Sequence, residues 1–211
     1  MAVNFTSQEI SQLYDRFASW YDVIEGVPEM LGIRKLRKRL LERASGNVLE
    51  IAVGTGKNLK FYAERFPTIA VDLSGQMLNI ARSRARKQSK QMVFSLADAQ
   101  CLPFRSETFD TVVSTLSTCT FPNPVAALRE MARVCRSEGK ILLLEHGRSE
   151  HEGLGRWQDR HEDNFANVFG CHWNREPLKL AREANLQVIA ARQRFFGIFH
   201  LIEARPEEER L

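Results

Sequence analysis

The amino-acid sequence predicts an α/β fold with a mostly parallel, seven-stranded sheet that ends in an antiparallel hairpin. Between residues 48 and 146, five short apolar runs alternate with stretches of helical periodicity. Strands that alternate with helices are typical of a parallel sheet with both faces covered. Further along, strand candidates at 188–195 and 198–204 are joined by a tight connection containing Gly197. A connection that short permits only antiparallel pairing.

Residues 1–45 are predicted to form a helical cap on a domain formed by residues 46–211. Thr6 and Glu9 have the spacing of a capping box. Apolar residues then recur at three- and four-residue spacing, which predicts one amphipathic helix or two short ones: Ile10, Leu13, Tyr14, Phe17, Trp20, Tyr21 and Ile24. A second helix carries Leu36, Leu40 and Leu41 on its apolar side.

Within the domain, strands are expected at 48–53, 68–73, 93–97, 109–116 and 140–146. Helices are predicted from Gly56 to about residue 65 and over 74–87, 124–135 and 176–184. Residues 151–171 show no clear period, so no element is predicted there.

The composition is that of an ordinary folded protein. The chain has 211 residues, of which 44% are hydrophobic and 27% charged, so it can bury one core and is not globally disordered. No apolar run approaches the roughly eighteen residues of a membrane span, and the N-terminus lacks a secretory signal. We therefore expect a cytoplasmic location. No disulfide is expected, and most of the cysteines should be buried: Cys101, Cys119, Cys135 and Cys171.

The formal charge of +4 is mild but unevenly distributed. One basic cluster comprises Arg34, Lys35, Arg37, Lys38 and Arg39, and another comprises Arg82, Arg84, Arg86, Lys87 and Lys90. Acidic residues at 207–209 offset them in the sum. Nucleic acid, anionic lipid and plain solvated helix faces all fit such clusters.

The main chemical signal is the segment Gly54-Thr55-Gly56 directly after the first predicted strand. Glycines at a strand-to-helix turn let the backbone approach a ligand closely. A dinucleotide-binding fingerprint would need a third glycine three residues after Gly56, where this sequence has Leu59. The sequence therefore disfavours a nicotinamide-dependent dehydrogenase.

Two carboxylates follow at the ends of the next strands. Asp72 stands at the end of the second strand, where an acidic residue can accept both hydroxyls of a ribose. Asp98 follows the third strand, at a position from which an adenine amino group can be recognised. The alternative for Asp72 is a helix N-cap or a solvated residue, but the glycine turn upstream favours a binding role.

Taken in order, these motifs resemble the class I S-adenosylmethionine-dependent methyltransferases. The pattern E-x-A-x-G-x-G over 50–56, the strand-end Asp72, the triplet 97–99 and F-D-x-V-V-S over 109–114 look like the branch that contains ubiquinone/menaquinone C-methyltransferases. The resemblance covers residues 14 to 204 and implies a Rossmann-like fold with S-adenosylmethionine as cofactor. Ala52 departs from the glycine of many relatives, and its extra methyl group should not abolish binding.

The resemblance also implies the cofactor contacts. Glu50, Gly54 and Gly56 would contact the methionine and ribose side, Asp72 the ribose hydroxyls and Asp98 the adenine amino group. Tyr21, from the signature at 14–22, would close over the cofactor and act in catalysis. The full expected set is Tyr14, Tyr21, Glu50, Ala52, Gly54, Gly56, Asp72, Leu73, Met77, Asp98, Ala99, Ser114, Thr115 and Leu116.

The methyl acceptor is suggested by shorter motifs. Residues 144–147 and 170–176 look like those of bacterial phospholipid N-methyltransferases and of methyltransferase-like thiol methyltransferases. N-methylation of a phosphatidylethanolamine-type lipid is the first hypothesis, with peripheral contact to an anionic membrane. A quinone precursor, a small thiol and a catalytically silent module are the alternatives. Nucleic acid is disfavoured, because residues 114–117 lack the [DN]-P-P-[YF] motif of base N-methyltransferases.

Glu145 and His146, at the end of the fifth strand, are the first candidates for a base or an orienting pair. His151, His161 and His172 are weaker candidates, and Cys171 is expected to be a packed thiol. No metal is expected, since no ligand set has recognisable spacing. Four aromatic residues either line an acceptor pocket or pack among themselves: Trp157, Phe165, Phe169 and Trp173.

Overall fold

Seven strands form one mixed sheet in the computed structural model, which describes residues 5–24, 26 and 29–207. The strands are β1 (Val48–Ile51), β2 (Thr68–Asp72), β3 (Val93–Leu96), β4 (Phe109–Thr115), β5 (Cys135–His146), β6 (Leu186–Arg194) and β7 (Phe199–Pro206). Their order across the sheet is β3-β2-β1-β4-β5-β7-β6. The first five strands pair in parallel, and β7 is antiparallel to both β5 and β6. The predicted fold is confirmed.

Within the described residues, six α-helices with defined bounds accompany the sheet. They are α1 (Ser7–Ile24), α2 (Arg34–Leu41), α3 (Gly75–Lys87), α4 (Pro124–Val134), α5 (Glu152–Phe169) and α6 (Pro177–Glu183). A π-helical turn at Glu29–Ile33 leads directly into α2. None of the helices in the described ranges is both long and apolar enough to cross a membrane.

The capping box at the start of α1 is confirmed. The Thr6 backbone N–H donates to Glu9 Oε2 at 2.8 Å, and the Glu9 N–H donates to Thr6 Oγ1 at 3.3 Å. The apolar pattern that follows forms one helix, not two. Its side chains Ile10 and Ala18 are buried, whereas Trp20 is 67% exposed. The side chain of Ile24 and residues 208–209 of the acidic tail lie outside the described residues.

The core lies on both faces of the sheet because successive strand residues point to opposite sides. On one face, Leu49 and Ile141 pack with Leu128 and Met131 of α4. On the other, Val48 and Leu142 belong to the layer that includes Leu36 and Leu40 of α2. Leu128 and Met131 are almost fully buried. Each therefore contributes about 1.5–3 kcal/mol of hydrophobic stabilisation.

Two predictions of local structure are wrong. The helix expected after Gly56 is a single 3-10 turn at Leu59–Phe61, and the backbone extends at Tyr62. One turn is enough to bury both Leu59 and Tyr62. Residues 151–171, for which no element is predicted, contain the eighteen-residue helix α5. Its buried positions are Gly155, Gln158 and Ala166, which are small or polar, so they produce no apolar period.

Two further local features refine the predictions. Strand β5 begins at Cys135, where α4 ends, and so starts earlier than residue 140. In the hairpin β6–β7, Phe195, Phe196 and Gly197 all have positive φ and make the tight connection. The four cysteines are free; Cys101 is exposed, and Cys119, Cys135 and Cys171 are buried as expected.

Candidate active site

A pocket of about 890 Å³, partly open to solvent, lies where the parallel strands end. The loops after β1, β2, β3 and β4 form its walls, and α1 forms its roof. The roof side chains are Ile10, Ser11, Tyr14 and Tyr21. The carboxyl edge of a parallel sheet is where ligands bind in open α/β folds.

In the turn after β1, Gly54 and Gly56 have different surroundings. A Cβ added at Gly54, whose φ is 54°, would have no atom within 4 Å, so this residue borders open pocket space. A Cβ at Gly56 would lie 2.6 Å from Leu59 Cδ1 and 3.3 Å from Ala81 Cα. Gly54 therefore leaves room for a ligand, whereas Gly56 permits close packing of the turn against α3. Gly56 does not line the pocket.

Asp72 lies at the centre of the pocket wall, nine-tenths buried. Its two oxygens accept hydrogen bonds from Gly54 N at 2.7 Å and from Ser74 N at 2.9 Å. A carboxylate has about four acceptor positions, so two remain for hydroxyl groups of a ligand. Burial raises the pKa of Asp72 to about 6, although the backbone hydrogen bonds oppose that shift.

Asp98 is a second carboxylate in the pocket wall. Its Oδ1 accepts from Gln100 N at 2.8 Å, and its Oδ2 accepts from Ser7 Oγ at 2.6 Å. Leu73, Met77 and Ala99 also line the pocket.

Helix α1 is fastened over the pocket by polar contacts along its length. Asp15 accepts hydrogen bonds from the Ser74 hydroxyl and, at 3.1 Å, from Gln76 N. Ser11 Oγ donates to the Leu73 carbonyl at 3.0 Å. Asp22 accepts from Thr55 Oγ1 at 2.7 Å and pairs with Arg84. These contacts hold the rings of Tyr14 and Tyr21, whose centroids lie 6.1 Å apart, at the pocket roof.

A buried polar network supports the wall formed by Asn58 and Thr115. Arg37 pairs with Glu29 at 2.7 Å and donates to Thr115 Oγ1 at 2.6 Å. Asn58 Nδ2 donates to Glu50 Oε1 at 2.8 Å. Burial raises the pKa of Glu50 to about 7. Glu50 does not line the pocket and instead holds Asn58, which does.

Most of the residues expected to bind the cofactor line this pocket. Eleven of the fourteen do so: Tyr14, Tyr21, Ala52, Gly54, Asp72, Leu73, Met77, Asp98, Ala99, Thr115 and Leu116. The pocket also has wall residues that the motifs do not indicate, namely Arg37, Thr55, Lys57, Asn58 and Thr120. The only signal for Arg37 is its place in a basic cluster, where a solvated side chain is the more common outcome.

The structure places Glu145 and Ser114 beneath the pocket, not in it. Glu145 is fully buried, and its carboxylate accepts from Ser114 Oγ at 2.7 Å, Ser117 N at 2.9 Å and Thr118 N at 3.1 Å. Burial raises its pKa. Because Ser117 and its neighbour Leu116 line the pocket, Glu145 shapes the loop after β4. Its geometry gives it a positioning role and does not bring it to a substrate as a base.

His146 and the weaker histidine candidates also lie outside the pocket wall. His146 Nε2 lies 3.4 Å from Cys171 Sγ, and His172 Nδ1 lies 2.6 Å from Glu162. His151 is the N-cap of α5, and His161 bonds to the Trp157 carbonyl of the same helix.

The aromatic residues Trp157, Phe165, Phe169 and Trp173 pack against one another. Phe165 stacks on Trp173 with ring centroids 4.2 Å apart, and Trp157 and Phe169 contact the same pair. None of them lines the pocket. The packing alternative for these residues therefore holds.

Comparison with known proteins identifies the family. Residues 49–143 match a model described as "Methyltransferase domain". The chain is 31% identical to the phosphatidylethanolamine N-methyltransferase of Cereibacter sphaeroides, over 85% of this chain and 88% of that protein. It is 33% identical to the ubiquinone/menaquinone biosynthesis C-methyltransferase UbiE of Bdellovibrio bacteriovorus, over 76% and 72%.

Two further matches differ in length or identity. The mitochondrial methyltransferase OMS1 of Saccharomyces cerevisiae is 26% identical over 94% of this chain, which spans only 46% of that protein. A solved S-adenosylmethionine-dependent methyltransferase from Thermotoga maritima has a TM-score of 0.72 at 21% identity, and covers 94% of this chain and 100% of its own. The second match concerns the fold alone.

The pocket residues fit the cofactor of this family. Asp72 and Asp98 would be the acceptors for ribose hydroxyls and for an adenine amino group, and Gly54 leaves the space that a side chain would fill. When bound, S-adenosylmethionine supplies an electrophilic methyl group on its sulfonium. With the motif order, the sheet topology and the relatives in agreement, the chain belongs to the class I S-adenosylmethionine-dependent methyltransferases, in the branch of UbiE-like and phosphatidylethanolamine N-methyltransferase homologues.

Proposed function

We propose that this methyltransferase transfers a methyl group to the amine of a phosphatidylethanolamine-type phospholipid. One observation carries the proposal: the 31% identity to the Cereibacter sphaeroides phosphatidylethanolamine N-methyltransferase extends over 88% of that protein. The match therefore includes the segments beyond the cofactor motifs, where acceptor specificity has to reside.

A surface next to the pocket supports an amphiphilic acceptor. A wide groove is bordered by Met30, which is 88% exposed, and by the basic residues Arg34, Lys35, Lys38 and Lys60. Lys57 and Arg84 also border the groove, but both are partly buried and pair with Asp22, which balances part of their charge. Trp20 and Val23, on the turn of α1 beside Asp22, are about two-thirds exposed. Exposed apolar side chains next to cations suit an anionic membrane surface, where each cation contributes about 1 kcal/mol.

Arg37 is not part of this basic surface. Its guanidinium is buried and hydrogen-bonded to Glu29, Asn58 and Thr115. It maintains the pocket wall, and its charge is not available to a lipid headgroup.

In the proposed reaction the chain acts mainly by positioning. The acceptor nitrogen has to lie in line with the methyl group, which makes orientation a major source of acceleration. We assign that orientation to Tyr21 in the roof and to Thr120 and Phe121 in the loop after β4, all of which line the pocket. The amine has to be neutral to attack, and its proton leaves to solvent before transfer.

A second candidate acceptor is a quinone precursor. The 33% identity to UbiE of Bdellovibrio bacteriovorus, over 72% of that protein, favours it. A reduced quinone ring is also apolar and resides in membranes, so the basic and apolar surface does not distinguish it from a phospholipid.

The test uses vesicles that differ in one headgroup. The protein is incubated with S-adenosylmethionine labelled at the methyl group and with anionic vesicles that contain phosphatidylethanolamine. Matched vesicles contain phosphatidylcholine, whose nitrogen is already fully methylated. We expect label in the lipid fraction of the first set only. No lipid label in either set, with cofactor binding verified by calorimetry, would refute the proposal.

A further inference from the structure

Three metal-binding side chains meet behind the loop that follows β4. Cys119 lies in that loop, His146 ends β5, and Cys171 directly follows Gly170, the C-cap residue of α5. The two thiol sulfurs and a ring nitrogen of His146 all lie within 4.8 Å of one another. Cys171 Sγ lies 3.4 Å from His146 Nε2.

The backbone around the two thiols is fixed by hydrogen bonds that do not involve them. The His172 N–H donates to the Cys119 carbonyl at 2.9 Å, which ties the two cysteine segments together. Arg175 donates to the Thr118 carbonyl and, at 2.9 Å, to the Phe121 carbonyl. The backbone segments that carry the two cysteines are therefore held together by the fold, so that only the side chains have to adjust around a bound ion.

The ligand types and their spacing suit Zn²⁺. Zinc bonds of about 2.3 Å to sulfur and 2.0–2.1 Å to nitrogen, at tetrahedral angles, place adjacent ligand atoms roughly 3.6–3.8 Å apart. The separations here can reach that value with small side-chain rotations. Two thiolates and one imidazole select a soft or borderline ion over Mg²⁺ or Ca²⁺, which prefer oxygen ligands.

We propose that Cys119, His146 and Cys171 bind one Zn²⁺ ion and leave its fourth position to a water molecule. Both cysteine thiols lose their protons to solvent when the ion binds. His146 is the half-buried member and gives the ion its route from solvent. The proposal departs from the sequence-based expectation of no metal, because the three ligands come from three distant segments with no recognisable spacing.

The site would connect to the pocket through a single loop. Thr120 and Phe121, next to Cys119, line the pocket, and so does Ser117. A bound ion would join this loop to β5 and to the end of α5. Zinc would thereby stabilise one pocket wall, whichever acceptor the enzyme uses.

The experiment measures metal binding by the intact, reduced protein. The chain is stripped with a chelator, then titrated with Zn²⁺ against a chromophoric competitor, and separately with Co²⁺ to record its absorption spectrum. We expect one equivalent of Zn²⁺ and an intense sulfur-to-Co²⁺ charge-transfer band. Cys119→Ser and Cys171→Ser should each weaken Zn²⁺ binding by at least about 100-fold. Cys135→Ser, which alters a buried thiol outside the cluster, should leave binding unchanged.

Three results would overturn the proposal. One is a reduced wild-type protein that binds no stoichiometric Zn²⁺. A second is Zn²⁺ affinity equal in wild type, Cys119→Ser and Cys171→Ser. The third is a Co²⁺ complex without a sulfur charge-transfer band, which would place the ion on other ligands. Because the wild-type spectrum does not depend on any variant folding, it tests the site even if a serine variant is unstable.

Discussion

Replacing Asp72 with alanine tests the assignment of the cofactor site. The carboxylate lines the pocket, holds Gly54 N and Ser74 N, and has two acceptor positions left. A hydrogen bond to a charged group contributes about 1.5–3 kcal/mol, so two ribose hydroxyls account for about 3–6 kcal/mol. We therefore expect Asp72→Ala to weaken S-adenosylmethionine binding by at least about 100-fold.

Isothermal titration calorimetry measures the loss, and circular dichroism verifies that the variant is folded. Asp110→Asn is a matched control, because Asp110 also accepts a hydrogen bond from a backbone N–H, that of Asn47, at 2.7 Å. Asp110 lies near the amino-terminal ends of the parallel strands, away from the pocket at their carboxyl ends. It should keep wild-type affinity. A folded Asp72→Ala protein with unchanged affinity would refute the reasoning.

The same carboxylate makes cofactor binding depend on pH. The pKa of Asp72 is raised to about 6, and hydrogen bonds from ligand hydroxyls favour its ionised form. Protonation therefore competes with binding as the pH falls through 6. Affinity should drop by about tenfold between pH 7 and pH 5 in the wild type, and by much less in Asp72→Asn. Equal pH dependence in the two proteins would assign the effect to another group.

Three shorter predictions concern stability and membrane contact. Glu145→Gln should lower the free energy of unfolding, measured by urea denaturation, by about 2–3 kcal/mol, because the new side-chain NH₂ group would face hydrogen-bond donors that now face a carboxylate oxygen. Unchanged stability with lost activity would instead support a role of Glu145 as a base. Lys35→Gln with Lys38→Gln should reduce co-sedimentation with anionic vesicles at low salt, and equal sedimentation would contradict the docking surface. The pKa of Glu50 is raised from 4.5 to about 7, so the folded state binds more protons than the unfolded state and stability falls as the pH rises through that window. From pH 5.5 to 7.5 the wild type should lose about 2 kcal/mol more than Glu50→Gln, and parallel unfolding curves would contradict this.

The sequence predicts the sheet and most of the pocket because both depend on local patterns. Short apolar runs in the sequence indicate the strands. The residue that ends a parallel strand, such as Asp72, must lie at the carboxyl edge of the sheet, where the pocket is, so the strand assignment alone places it there. Glycine at position 54 likewise indicates close backbone approach without knowledge of its neighbours.

The features that sequence does not predict depend on tertiary contacts. Helix α5 has no apolar periodicity in its sequence, because two of its buried positions are occupied by Gly155 and Gln158 and not by large apolar residues. Glu145 sits in the expected strand, but whether its carboxylate faces a substrate or the loop after β4 depends on Ser117 and Thr118. The division into a cap at 1–45 and a domain at 46–211 stays a prediction.

The most direct test of the proposed function is transfer of labelled methyl from S-adenosylmethionine to three acceptors in parallel. These are phosphatidylethanolamine vesicles, a reduced demethylated quinone and a small apolar thiol, each with wild type and with Asp72→Ala. We predict label in methylated phosphatidylethanolamine, at a rate that falls at least about 100-fold in the variant when the cofactor is below its dissociation constant. Label in the quinone or the thiol alone would contradict the proposed acceptor, and equal rates in both proteins would contradict the cofactor site.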